Sequence, residues 1–329
     1  MTDTTIKEKP TVVLTGGFGF IGRNLLDYLL KVYGPEKPDI DFIVIDSAIW
    51  KQEYYKYKLL LKEIQNGLID EGIEYDLFPS KPFYLIHAAW APASERNNTL
   101  AQQAAANDFS KLLDTYKDRI LGVIGIGSSA EYGENTPNSC EESDLKPPAD
   151  PPKEIFPYGF YKYAACRKAH SWHVETGKPV IWLRPFTVFG PGQNGDMLIP
   201  SLIKTIEKGQ EYTIQNPDAY MDLVHVSDVA KMIARCLRQI MLKLPEYFLL
   251  FDIINVCTGI PTNVQVIAKL VCELAGKSTS LIKVNDQPKS GKKVNSRIGN
   301  PRHARAVFRF QDMAESIIAN GQLDQETPE

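Results

Sequence analysis

The stretch TVVLTGGFGFIG, residues 11–22, decides the architecture. Thr11 to Gly17 is short, rich in β-branched residues and stopped by glycine, which reads as a buried strand. FIGRNLLDYLLKVYG (20–34) then shows helical periodicity and ends at Gly34-Pro35. A glycine turn between a strand and a helix is a cradle for a dinucleotide. Gly16 permits the tight turn, Gly19 lets the backbone approach a pyrophosphate, and Gly22 lets the helix pack close to the sheet. Phe20 and Ile21 stand in the helix's first turn, where free N–H groups face the phosphates. DFIVID (41–46) is a second strand ending at Asp46, whose carboxylate would accept hydrogen bonds from the adenine ribose and repel a 2′-phosphate. That favours NAD over NADP.

The same alternation continues outward. A charged helical stretch is expected around Tyr54 to Ile69, a strand at 82–89, a helix at 99–116 and a strand at 120–129. A helix carrying Tyr158 and a strand at 179–186 follow. Continuous apolar strands between helices indicate a parallel sheet covered on both faces. The expected fold is α/β: a Rossmann-type doubly wound sheet with a smaller, mixed α/β C-terminal substrate lobe. Past Gly190 the pattern loosens, with helices expected at 200–209 and 263–276 among Pro- and Gly-rich loops. The expected boundaries are 10–190 for the dinucleotide domain, with return segments near 222–258, and 191–320 for the second lobe. Residues 145–157, Pro-rich, read as a loop beside the Tyr158 helix, and 1–9 and 321–329 as frayed ends.

Composition excludes several classes. The 329 residues are 43% hydrophobic and 23% charged, ordinary for a soluble globular chain. A net charge of −3 supplies no basic field for nucleic acid or an anionic membrane surface. The longest apolar run, near Tyr247 to Ile254, is broken by Asp252, and the polar N-terminus lacks a signal peptide's apolar core. Five dispersed cysteines fit a reducing cytoplasm better than a disulfide framework or a zinc site. His170 and His173 share a helix face but lack further ligands at metal spacing, so no metal is expected.

PYGFYKYAACRKA (157–169) places Lys162 one helical turn from Tyr158, where an ammonium would lower the phenol's pKa toward neutrality. Tyr33/Lys37 and Tyr54/Lys58 repeat the spacing, so the pair needs its surroundings. They supply it. TGGFGFIG, HAAW (87–90), Asn107, GSSAEYG (127–133), YGFYK (158–162), LRPFTVFGPGQ (183–193) and MDLVHVSDVA (221–230) stand in the order found in extended short-chain dehydrogenase/reductases. The chain resembles their NAD-dependent epimerase/dehydratase group, which acts on nucleotide-activated sugars, from about Thr11 to at least Ala304. The resemblance implies Tyr158 as acid/base, Lys162 as its pKa-lowering partner and ribose ligand, and Ser128 (with Ser129 as fallback) holding the reacting oxygen. It places His87, Ala88, Ala89, Asn107 and Pro185 by the cofactor, with Asn107 also stabilising the central sheet. Trp90, Ser128, Ser129, Thr187 and Arg297 fall on the substrate side. His87 reads equally well as a satisfied, buried histidine, while His225 and Asp228 read as organising the fold. Tyr161 and Tyr163 are expected to pack or face solvent. The family's dimers, built from helices near 99–116 and 158–175, imply a homodimer.

The chain departs from that family at Thr187, where Asn is common, and at Met221, where Arg usually holds the substrate diphosphate; Arg297, Lys204 or Lys208 would compensate only in part. Sugar 4,6-dehydratases carry Asp-Glu where Ser129 and Ala130 stand, and UDP-glucuronate decarboxylases keep a Glu at Ala130. Glu131, one residue on, would face the other way on a strand. What remains is C4 redox chemistry: a nucleotide-sugar 4-epimerase using NAD(H), with a 4-ketoreductase as the alternative and dehydration or decarboxylation behind both. A non-catalytic NAD(H)-binding protein is the reading from another class.

Overall fold

The computed structural model describes residues 9–33, 40–46, 61–66, 78–134, 139–242, 250–285 and 296–307; the expectations for 1–8 and for 308–329 lie outside them. Seven strands form the main sheet: β1 (Thr11–Thr15), β2 (Asp41–Asp46), β3 (Leu61–Asn66), β4 (Phe83–His87), β5 (Ile120–Ile126), β6 (Val180–Pro185) and, after three strands that lie outside it, β10 (Phe251–Val256). Their order across the sheet is β10-β6-β5-β4-β1-β2-β3, and each neighbouring pair is parallel. Because side chains alternate across a strand, Val12 and Leu14 enter one apolar layer and Val13 the other. The first layer is covered by α1 (Phe20–Tyr33) and by α5 (Val226–Leu242). The second is covered by α2 (Thr99–Thr115) and α3 (Pro157–Thr176).

The described part of the expected helix at 54–69 is strand β3 instead. It pairs with β2 from Phe42↔Leu61 to Asp46↔Asn66. The unpaired edge of β2 offers a ladder of backbone hydrogen bonds that outweighs a weak helical preference. Residues 129–132 also differ: they form a 3₁₀ turn, not an extension of β5.

A third apolar cluster lies outside the main sheet. It joins Phe189 of β7 (Thr187–Phe189), Leu202 of α4 (Leu198–Glu207), Ile214 of β8 (Tyr212–Ile214), Leu223 of β9 (Tyr220–His225) and Ile267 of α6 (Val264–Leu274). β9 sits between β7 and β11 (Pro261–Asn263), and β8 pairs with β12 (Ile282–Val284). Of the expected return segment 222–258, then, α5 and β10 rejoin the main sheet while β9 does not. Asp222, in β9, is fully buried and accepts from Thr258 N and Oγ1, Gly259 N and Gly299 N at 2.7–3.1 Å. It clamps this third cluster to the chain leading into α7 (Arg302–Val307).

Candidate active site

Strand order reverses between β1 and β4, so the loops leaving their carboxyl ends open a crevice there. In the glycine turn, Gly16 takes φ +71°, and a Cβ on it would meet Ala89 N at 2.5 Å. A Cβ on Gly22 would lie 2.2 Å from Gly16 O, which is how closely the helix sits on the turn. Gly19 is different: its Cβ would meet only Gly16 O, at 3.3 Å, so the open side of the turn is bare backbone beside the α1 N-terminus. That is the cradle a pyrophosphate requires, and the residues present fit a dinucleotide. Asp46, closing β2, accepts from Phe18 N at 2.8 Å and ties the turn to the next strand. Phe20 and Ile21 begin α1, and Asn24 donates to Pro191 O at 2.9 Å, joining the helix to the loop after β7.

β4 ends on His87. Its Nδ1 meets Thr15 Oγ1 at 2.8 Å and its ring lies 4.5 Å from Phe109, fully inside the protein. Burial, helped by Lys162, drives its pKa down to about 3, so the ring is neutral. Its Nε2 is buried with no hydrogen-bond partner among the described residues, so the ring is buried but not fully satisfied. Ala88 continues the strand end by donating to Thr15 O at 3.0 Å, and Ala89 forms the wall that Gly16 touches. Asn107 is a correction. α2 turns Gln102, Ala106, Phe109 and Leu113 inward, which leaves Asn107 exposed and away from the central sheet.

The catalytic candidates come together at the end of β5. Gly159 makes this possible: a Cβ there would lie 2.2 Å from Ala130 O, so only glycine lets the start of α3 close on the 3₁₀ turn. Ser128 caps that turn, its Oγ accepting from Ala130 N at 3.1 Å. Tyr158's pKa lies above its ordinary value. Burial raises it, Arg96 and the nearby Ser128 hydroxyl pull it back, and the Glu131 charge adds to the rise. Lys162, expected to lower it, stands one helical turn away and is held elsewhere in this structure. Lys162 is buried, donates to Ile126 O at 2.6 Å and sits 3.8 Å over the Trp90 ring, 6.0 Å from the Tyr158 centroid. Burial brings its own pKa down to about 7, against the opposing Glu131 charge.

Beneath this surface lies a polar network that sequence reasoning did not assign. Glu131 Oε1 accepts from Ser128 N at 2.9 Å and from Trp182 Nε1 at 3.0 Å, and Oε2 accepts from Arg184 Nε at 2.8 Å. Glu131 and Arg184 are both fully buried. Arg184 Nη1 donates to Tyr132 OH, which donates to Asn255 in β10. The available signal was the glycine spacing of IGIG: a Cβ on Gly127 would strike Glu131 Oε1 at 2.2 Å and Trp182 Nε1 at 2.3 Å.

The remaining candidates are placed as follows. Ser129 is buried in the 3₁₀ turn, Pro185 ends β6, and Thr187 opens β7, half-buried. Trp90 donates from Nε1 to Gln102 Oε1 at 2.7 Å. Arg297 is engaged with the protein, donating Nε to Gly133 O at 2.9 Å and pairing Nη2 with Glu134 at 2.8 Å. Met221 is half-buried against the third apolar cluster. Tyr163 is buried, with its hydroxyl on Ala149 O at 3.0 Å. His170 and His173 pack against Phe251, and among the described residues no group of three His, Cys, Asp or Glu is placed to hold a metal. No helix of the described residues is long and apolar enough to cross a membrane.

Comparison with known proteins agrees with this fold. A model of the NAD dependent epimerase/dehydratase family matches residues 12–250. A GDP-6-deoxy-D-talose 4-dehydrogenase from Aggregatibacter actinomycetemcomitans is 25% identical over 269 residues, 80% of each chain. Among solved structures, a UDP-N-acetylglucosamine 4-epimerase from Methanobrevibacter ruminantium superposes with a TM-score of 0.76 at 22% identity, covering 97% of this chain and 99% of that one. A dTDP-glucose 4,6-dehydratase from Streptomyces venezuelae, solved with NAD, also gives 0.76, at 19% identity over 96% of this chain and 97% of that one. The chain belongs to the NAD dependent epimerase/dehydratase family.

Proposed function

We propose that this protein is a nucleotide-sugar 4-epimerase that keeps and reuses NAD(H). Residues 10–190 with the returning α5 and β10 would hold the cofactor, and 191–320 the substrate. The observation that carries the reading is Glu131. It is the one carboxylate next to Ser128 in GSSAEYG, and it is sealed beneath the site in an ion pair with Arg184. With Ser129 and Ala130 beside it, the position offers no acid or base for removing water or carbon dioxide from a sugar. Proton transfer at one hydroxyl is what the site can do.

The glycine turn, the α1 N-terminus and Asp46 would hold the dinucleotide, with Lys162 at its nicotinamide ribose. When bound, the nicotinamide supplies the redox step at sugar C4. Tyr158 takes the C4 hydroxyl proton on oxidation and returns it on reduction, while Ser128 donates to the same oxygen. Between the two half-reactions the keto sugar turns its other face. The site is lined by Trp90, Ser129 and Thr187 on the substrate side. Arg297, held by Glu134, shapes that wall more than it offers a free charge.

The second reading, a 4-ketoreductase that releases its oxidised cofactor, is favoured by the 4-dehydrogenase relative. A panel of UDP-, GDP- and dTDP-hexoses separates them. A C4 epimer formed without added cofactor supports the epimerase, and turnover only of a 4-keto sugar with added NAD(P)H supports the reductase. Loss of water or carbon dioxide from the sugar would contradict both.

A further inference from the structure

Arg96 closes the short 3₁₀ turn Ala93–Glu95 that follows Trp90, and its guanidinium carbon lies 4.7 Å from the centre of the Tyr158 ring. Lys162 is farther from that ring, at 6.0 Å, and its ammonium is engaged by Ile126 O and the Trp90 face. The Glu95 carboxylate beside Arg96 accepts from Asn98 Nδ2 at 2.7 Å, and among the described residues Arg96 has no carboxylate partner. The turn is fixed from inside. Gln102, fully buried, donates Nε2 to Glu95 O at 2.8 Å and accepts from Trp90 Nε1. One buried amide thus holds both the ring under Lys162 and the residue that precedes Arg96.

We propose that Arg96 is a positioning residue: its guanidinium, laid across the Tyr158 ring, stabilises the phenolate that accepts the sugar hydroxyl proton. The inference rests on Tyr158 being the acid/base of the proposed function. The charged groups facing the phenol come from three elements: Arg96 from the turn after β4, Glu131 from the turn after β5, and Lys162 from α3. Arg96 favours the phenolate and Glu131 opposes it, while Arg297 is close enough to feel the Arg96 charge. No proton passes through Arg96; the substrate O–H bond breaks and the proton goes to Tyr158 Oη.

The test is ¹³C NMR of the NAD-loaded full chain labelled at tyrosine Cζ, with Tyr158→Phe assigning the signal. Arg96 is exposed, so its field is partly screened and the effect is moderate. At a fixed alkaline pH below unfolding, Arg96→Gln is expected to lower the Tyr158 phenolate fraction about threefold, half a pKa unit. Arg96→Lys should stay near wild type. Equal fractions in wild type and Arg96→Gln, including none in either, would overturn the proposal. Full turnover by Tyr158→Phe would instead sink the proposed function, whatever the titration shows.

Discussion

Glu131, fully buried, accepts three hydrogen bonds, and one of them fixes the backbone N–H of Ser128. Burial works against the charge of Arg184, but Glu131 raises its pKa well above the ordinary value, so Arg184 stays charged. Removing one member leaves the other charge buried alone. Glu131→Gln should therefore cost about 3–5 kcal/mol of stability, read as a lower urea midpoint. An unchanged midpoint would mean the ion pair does not hold the site. Tyr158→Phe should behave oppositely: unaltered melting, with C4 turnover reduced roughly a hundred- to ten-thousand-fold. The Tyr158 and Lys162 pairing shows in the chain because the two stand one helical turn apart, whereas Ser128 was assigned only through the resemblance. Glu131 and Arg184 are 53 positions apart and meet only across the β5–β6 edge, so neither residue alone announces the pair.

The glycine turn was legible because strand, turn and helix follow one another in the chain, and each glycine makes a separate prediction. Gly19→Ala meets only one oxygen, at 3.3 Å, so the variant should fold normally but bind NAD roughly tenfold more weakly or worse, a loss of about 1.4 kcal/mol in phosphate contact. Gly22→Ala should damage both, since its Cβ would lie 2.2 Å from Gly16 O. Calorimetric titration with NAD beside thermal melting distinguishes the two; a Gly19→Ala protein that binds like wild type would remove the phosphate from the turn. The misread elements fail for reasons of packing. Leu61–Asn66 became a strand because β2 had an edge to fill, which only the assembled sheet reveals. Asn107 follows Ala106 by one residue, and that 100° step carries it from the buried face of α2 to the exposed one.

At the scale of the molecule, burying a neutral histidine makes stability depend on acid. The unfolded His87 gains a proton near pH 6.5, whereas the folded ring resists it until about 3. Its contribution is complete above 6.5 and is lost as pH falls through that window, by up to about 1.4 kcal/mol per unit. The melting temperature of His87→Gln should fall less steeply than wild type between pH 6 and 4; parallel curves would contradict the assignment. α2 and α3 pack on the same layer while leaving Leu100, Phe160 and Val174 exposed, which supports the proposed homodimer through these helices. Sedimentation showing only a 37.0 kDa species at micromolar concentration would count against it. The proposed epimerase retains and recycles its cofactor. Mass spectrometry of the small molecules released when the desalted protein is denatured shows whether it does. NAD(H) near one per chain is expected; an empty site that binds NADPH at least as well as NADH would contradict both the epimerase reading and the role given to Asp46.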